Sequence, residues 1–165
     1  MMNSLSAHFP YISRKQFLVA GPCSVENSEQ VLQTARFLSG LPQTSIFRAG
    51  VWKPRTRPGQ FEGLGSRALP WLQEVKAKTK LPVAVEVAQG THVQEALDAG
   101  MDILWVGART VVNPFSVQDI ANALQQRPVP VMVKNPVNPD LNLWIGAIER
   151  LQQAGAPAVA AIHRG

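Results

Sequence analysis

Residues 83–109 read VAVEVAQGTHVQEALDAGMDILWVGAR. The stretch opens on a short apolar run, Val83–Glu86, and closes on another, Ile103–Val106. Between them Thr91–Ala99 has helical length, with Thr91 as its candidate cap and Gly100 as its stop. Strand, helix, strand in this order is a parallel pair joined by a crossover helix.

The unit repeats in both directions. Further strand-length runs lie at Phe17–Ala20, Ser45–Ala49, Val131–Lys134 and Ala158–Ile162. Helix-period segments separate them: Ser28–Leu38, Ala68–Lys78, Ser116–Gln126 and Asp140–Ala154. Asn27 or Ser28 is placed to cap the first of these, and Gly40 and Gly155 follow two of their ends. The strands are apolar without alternation, which predicts cover on both faces, as in parallel α/β sheets. A (β/α)8 TIM barrel needs eight strands and roughly 250 residues. The pattern predicts such a parallel α/β barrel, carried by this sequence through strands 1–6 of 8, over residues 17–165. Residues 1–16 are expected to form an N-terminal extension. The alternative is an open doubly wound sheet. No G-x-G-x-x-G or G-x-x-x-x-G-K-[ST] follows any strand, which disfavours it.

Composition narrows the class. The 165 residues fit one domain, 45% hydrophobic and only 16% charged, which excludes a solvated disordered chain. No apolar run approaches the ~20 residues of a membrane span. Met1–Lys15 holds no apolar core of a signal peptide. Cys23 is the single cysteine, which excludes an internal disulfide and fits a reducing cytoplasm. The net charge of +5 fits an anionic partner. Nucleic acid is disfavoured, because no basic stripe runs along a helix and Tyr11 is the only tyrosine.

In parallel α/β folds the site lies at the C-terminal ends of the strands. Here those ends lead to Cys23, Arg48, Glu86, Arg109, Lys134 and His163-Arg164. The rim is therefore cationic: Arg48, Arg109, Lys134 and Arg164. The loop Arg48–Arg67 adds Lys53, Arg55, Arg57 and Arg67 against one acid, Glu62. Like charges converging on a mouth repel unless anions occupy it, so the pattern points to substrates with several negative charges. Gly59, Gly63 and Gly65 would let backbone approach such a ligand. Cys23, after Gly-Pro at a strand's end, is either a buried thiol or a soft metal ligand; spacing alone establishes no metal site. His8 and His92 read as surface residues. Trp52, Trp71, Trp105 and Trp144 read as lying in or beside core elements.

Five motifs together resemble one family. They are Gly21-Pro22-Cys23-Ser24, Arg48 with Lys53-Pro54-Arg55-Thr56, Gln60-Phe61-Glu62-Gly63-Leu64-Gly65, Val106-Gly107-Ala108-Arg109-Thr110 and Val133-Lys134-Asn135. The family is 3-deoxy-D-arabino-heptulosonate 7-phosphate (DAHP) synthase, type I, and the resemblance runs from about Phe17 to Gly165, its N-terminal portion. The sister family making 3-deoxy-D-manno-octulosonate 8-phosphate resembles it at the start but has a Lys-Ala-Asn-Arg-Ser type of segment in place of Lys53–Thr56. Lys134–Leu151 resembles the branch fused in some bacteria to chorismate mutase.

The resemblance implies a (β/α)8 barrel that condenses phosphoenolpyruvate (PEP) with erythrose 4-phosphate, releases phosphate and opens the shikimate pathway. It implies that Arg48, Lys53, Arg109, Lys134 and Arg164 bind PEP, and that Arg55 and Thr56 hold the erythrose 4-phosphate. It implies catalytic roles for Lys134, Glu86 and Lys53. It makes Cys23 one ligand of a divalent metal of the Mn, Fe, Zn or Co type, with the other ligands expected beyond Gly165. His163 aligns next to a family arginine and is not expected to be a ligand. The 165-residue chain alone is expected to be inactive, and a homo-oligomer is expected. The competing expectation is a non-catalytic module that binds PEP-like anions or a partner subunit.

Overall fold

The computed structural model describes residues 17–163. Arg164 and the expected extension, 1–16, lie outside the described residues. Six strands alternate with five α-helices. The strands are β1 (Leu18–Ala20), β2 (Thr44–Ala49), β3 (Val83–Val87), β4 (Ile103–Val106), β5 (Val131–Lys134) and β6 (Val159–Ile162). The helices are α1 (Ser28–Ser39), α2 (Leu69–Thr79), α3 (Gly90–Asp98), α4 (Pro114–Leu124) and α5 (Leu141–Gln153). A 3₁₀ turn, Gly65–Ala68, leads into α2.

The sheet order is β1-β2-β3-β4-β5-β6, and every neighbouring pair is parallel. A doubly wound sheet reverses its strand order at a switch point. Here the order never reverses, which is the winding of a barrel. Consecutive helices pack on one another in the same sense, α1 on α2, α3 on α4 and α4 on α5.

Strand parity divides the core. Phe47, Ala49, Val85, Val87, Leu104, Val106, Val131 and Val133 join Val31, Leu72, Val93, Ile120 and Leu151 of the helices in one large buried cluster. The alternate residues Ile46, Ala84, Ile103, Trp105 and Met132 form a second cluster on the opposite face, edged by Val19, Ala160 and Ile162. Both faces are thus apolar, as the unbroken strand sequences predict, but they meet different partners. β3 and β4 are buried throughout, whereas Leu18 is exposed and β6 is at most half-buried.

Three of the five helices are capped by a local side chain, while α2 follows Ala68 and α3 follows Gln89 without one. Asn27, Asn113 and Asp140 each accept backbone N–H groups at the starts of α1, α4 and α5. Thr91 is not a cap. α3 begins one residue earlier, at Gly90, whose N–H donates to Asp119 Oδ2 of α4 at 2.6 Å. A Cβ on Gly90 would lie 2.9 Å from that carboxylate. The cap is supplied across the helix pair, so neighbouring sequence does not show it. No helix among the described residues is long and apolar enough to cross a membrane.

Candidate functional site

Counting by twos from the second cluster reaches the site. Ile46, Ala84, Ile103 and Met132 are followed on their strands by Arg48, Glu86, Trp105 and Lys134. Side chains two apart on a strand share a face. Glu86 is paired in register with Trp105, and Arg48 with Ala84. The apolar inner layer therefore carries a polar layer at the strands' C-terminal ends.

Lys53, from the loop after β2, reaches over this layer. Its Nζ lies 3.1 Å from Glu86 Oε2, and both side chains are only 10% exposed. The same nitrogen lies 3.9 Å from Cys23 Sγ. Lys134 Nζ sits 4.2 Å from the centroid of the Trp105 ring, and Arg48 Cζ sits 5.1 Å from it. Two glycines make room. A Cβ on Gly107 would fall 2.2 Å from Glu86 Oε1, and one on Gly50 would fall 2.2 Å from the Cys23 carbonyl oxygen. A side chain at either position would displace the pair or the Cys23 backbone.

The loop after β2 is folded back on itself. Lys53 N donates to the Glu62 carbonyl at 2.8 Å, Gly65 N to that of Val51 at 2.9 Å, and Arg55 Nε to that of Phe61 at 2.8 Å. Trp52 stacks on His92 with ring centroids 4.3 Å apart and planes 7° from parallel. His92 Nδ1 accepts from the Ala88 N–H at 3.2 Å. His92 is thus no surface residue. It is half-buried and joins the start of α3 to the loop that carries Lys53. Arg109 Nε donates to Thr56 Oγ1 at 3.3 Å, tying the loop after β4 to the same segment.

Cys23, Lys53, Arg55, Glu86, Arg109 and Lys134 line one cavity of about 240 Å³. Arg48, Trp105 and Lys134 line a second of about 210 Å³, walled by Val19, Met132 and Ile162. Of the residues expected at the site, Thr56 reaches it through Arg109, and Arg164 falls outside the described residues. Arg57 and Arg67 are exposed. His163 is exposed after β6. Trp105 is the residue that sequence reasoning missed. Its signal was parity: it stands two after Ile103, in step with Glu86.

Electrostatics follow from this crowding. Burial pushes the Cys23 thiol up, but the Lys53 charge and a hydrogen bond and charge from Arg48 outweigh it and Glu86. The net direction is down, toward the thiolate. Burial pulls the Lys134 ammonium below its usual value, with Arg48 and Lys53 in the same sense and Glu86 and Cys23 against. A thiolate-prone sulfur is a fitting metal donor. One donor is not a site, however. Among the described residues no group of three His, Cys, Asp or Glu is placed to hold a metal ion.

The chain is 31% identical over 148 residues to a phospho-2-dehydro-3-deoxyheptonate aldolase of Thermotoga maritima, covering 90% of this chain and 42% of that one. It is 34% identical over 124 residues to a 2-dehydro-3-deoxyphosphooctonate aldolase of Nitrosococcus oceani, covering 72% and 43%. The chain thus spans less than half the length of these two relatives. The crystal structure of the DAHP synthase from Thermotoga maritima superposes with a TM-score of 0.74 at 28% identity, over 88% of this chain and 40% of that one. A truncated form of the synthase from the same organism gives a TM-score of 0.70 at 27% identity, over 88% and 50%. The fold is accordingly that of six strands of a TIM barrel. The DAHP synthetase I family profile matches residues 13–165, nearly the whole sequence, and the chain belongs to that family.

Proposed function

We propose that this chain supplies the anion-binding half of a DAHP synthase active site, which joins PEP to erythrose 4-phosphate and releases phosphate. The observation that carries the reading is the convergence of Lys53, Arg109 and Lys134 around Glu86 in one cavity, with Arg48 beside Lys134. Three or more cations around one buried carboxylate leave an excess of positive charge, which suits a substrate bearing a phosphate and a carboxylate. In this reading Arg48, Lys53, Arg109 and Lys134, with Arg164, bind PEP. Arg55 and Thr56 hold the phosphate of the aldehyde substrate, and the Arg109–Thr56 contact links the two subsites. The Lys53–Thr56 segment favours the four-carbon sugar over the five-carbon one of the octonate branch.

The reaction forms a bond from PEP C3 to the aldehyde carbon. Water adds at PEP C2 and the C2–O bond to phosphate breaks. Glu86, held by Lys53, orients that water. Lys134 holds a proton that its buried setting makes easier to release, and passes it to the developing alkoxide. A bound divalent metal of the Mn, Fe, Zn or Co type would polarise the aldehyde. Cys23 is its one donor among the described residues, so the steps above do not use it, and the 165-residue chain alone is expected to be inactive. The whole protein is read as a cytoplasmic homo-oligomer, with a chorismate mutase domain as a candidate partner. A second reading, a non-catalytic module for PEP-like anions, draws on the single metal donor.

Calorimetric titration with PEP tests the reading. Arg109→Ala should weaken binding by about 1.5–3 kcal/mol, the range for a charged hydrogen bond. An unchanged Kd would overturn the assignment.

A further inference from the structure

Trp105 stands out on the inner face. It is 5% exposed, and its indole Nε1 is buried with no hydrogen-bond partner among the described residues. A buried donor left unpaired is destabilising. Leu or Phe would fill the same layer above Ile103 and Met132 without that cost. What a tryptophan adds is the most electron-rich ring face among the side chains. Two cations lie against that ring, Lys134 Nζ at 4.2 Å and Arg48 Cζ at 5.1 Å from its centroid, and both line one cavity with it. They come from β5 and β2, on either side of β4, and would otherwise repel each other. Glu86 already has Lys53 at 3.1 Å.

We propose that Trp105 is a positioning residue, which holds Lys134 and Arg48 against its π system at the cavity they share, so that one anion meets both. The proposal deepens the functional reading above and rests on it for the identity of the anion. Trp105 touches no reacting atom. It fixes the two cations before the ligand arrives, and so removes the ordering cost of gathering them at binding.

The test uses the full chain and two readouts. The first needs no ligand. Proton NMR of the Lys134 ε-methylene should show an upfield ring-current shift, lost in Trp105→Leu and largely kept in Trp105→Phe. The second is PEP affinity in a series carrying one, two and three fluorines on the indole at position 105, introduced site-specifically. Fluorine drains the ring face without changing its shape, so the series stays informative even where Trp105→Leu does not fold. Affinity should fall stepwise, about tenfold in total, with Trp105→Phe within about threefold of the parent. An unshifted ε-methylene, or a Kd that stays flat along the series, overturns the proposal. If the unsubstituted chain binds no PEP, the functional reading fails. The ring-current shift and its loss in Trp105→Leu then decide Trp105 alone.

Discussion

The two faces of one sheet behave as two different materials. On the helix side, Phe47, Val85, Leu104 and Val133 are fully buried in one large apolar cluster. On the inner side, Ile46, Ala84, Ile103 and Met132 are also buried, yet two positions on, the next inward-facing residue of each strand is Arg48, Glu86, Trp105 or Lys134. The same backbone ladder therefore fixes an apolar wall and a charged rim, separated by a single residue of strand parity. Stability should reside on one face and ligand binding on the other. Each can then be perturbed without the other.

The largest effect belongs to the helix side. Phe47→Ala removes one of the largest fully buried side chains and should cost about 3–5 kcal/mol in urea unfolding. PEP affinity of the folded fraction should stay within about twofold. A parallel loss of affinity would break the separation of the faces.

Gly107→Ala probes the converse. Its Cβ would sit 2.2 Å from Glu86 Oε1. The carboxylate is the movable end of a side chain, so the fold should survive, at a cost of about 0.5–3 kcal/mol, the usual range for a single substitution. The 3.1 Å contact with Lys53 would not survive in place. PEP affinity should drop about tenfold, equivalent to one charged hydrogen bond. Intact affinity would show that the Lys53–Glu86 geometry does not matter to the anion.

The smallest effect concerns pH. Burial holds the His92 imidazole below its usual 6.5, against the opposing charge of Glu95. The unfolded chain therefore takes up this proton first as pH falls. Stability is full above 6.5 and is lost progressively as pH drops from 6.5 through the folded value. His92→Gln should flatten that part of the stability–pH curve in urea titrations. An unchanged slope would show that His92 titrates in the folded protein as it does in the unfolded one.

Much of this was legible in the sequence, and the rest has physical reasons for being hidden. The strand–helix alternation is written in local apolar period, so all six strands and five helices could be placed to within a few residues. The rim residues could be found because parallel strands all end on one edge. Six of the expected residues do line one cavity. What stayed hidden depends on pairs distant in the chain. Asp119 caps α3 from α4, so Thr91 seemed the better cap. His92 looks solvent-facing until Trp52 is laid on it. Trp105 reads as filler because nothing local says that Arg48 and Lys134 will share its ring.

The most direct test of the separation is an NMR titration of the full chain with PEP, followed at assigned backbone amides and lysine side chains. The shifts should concentrate at Arg48, Lys53, Gly107, Arg109 and Lys134, with the helix-side residues Leu72, Ile120 and Leu151 unmoved. Shifts centred instead on the polar groove of Gln89, Gln94, Asp119 and Asn122, between α3 and α4, would contradict the account.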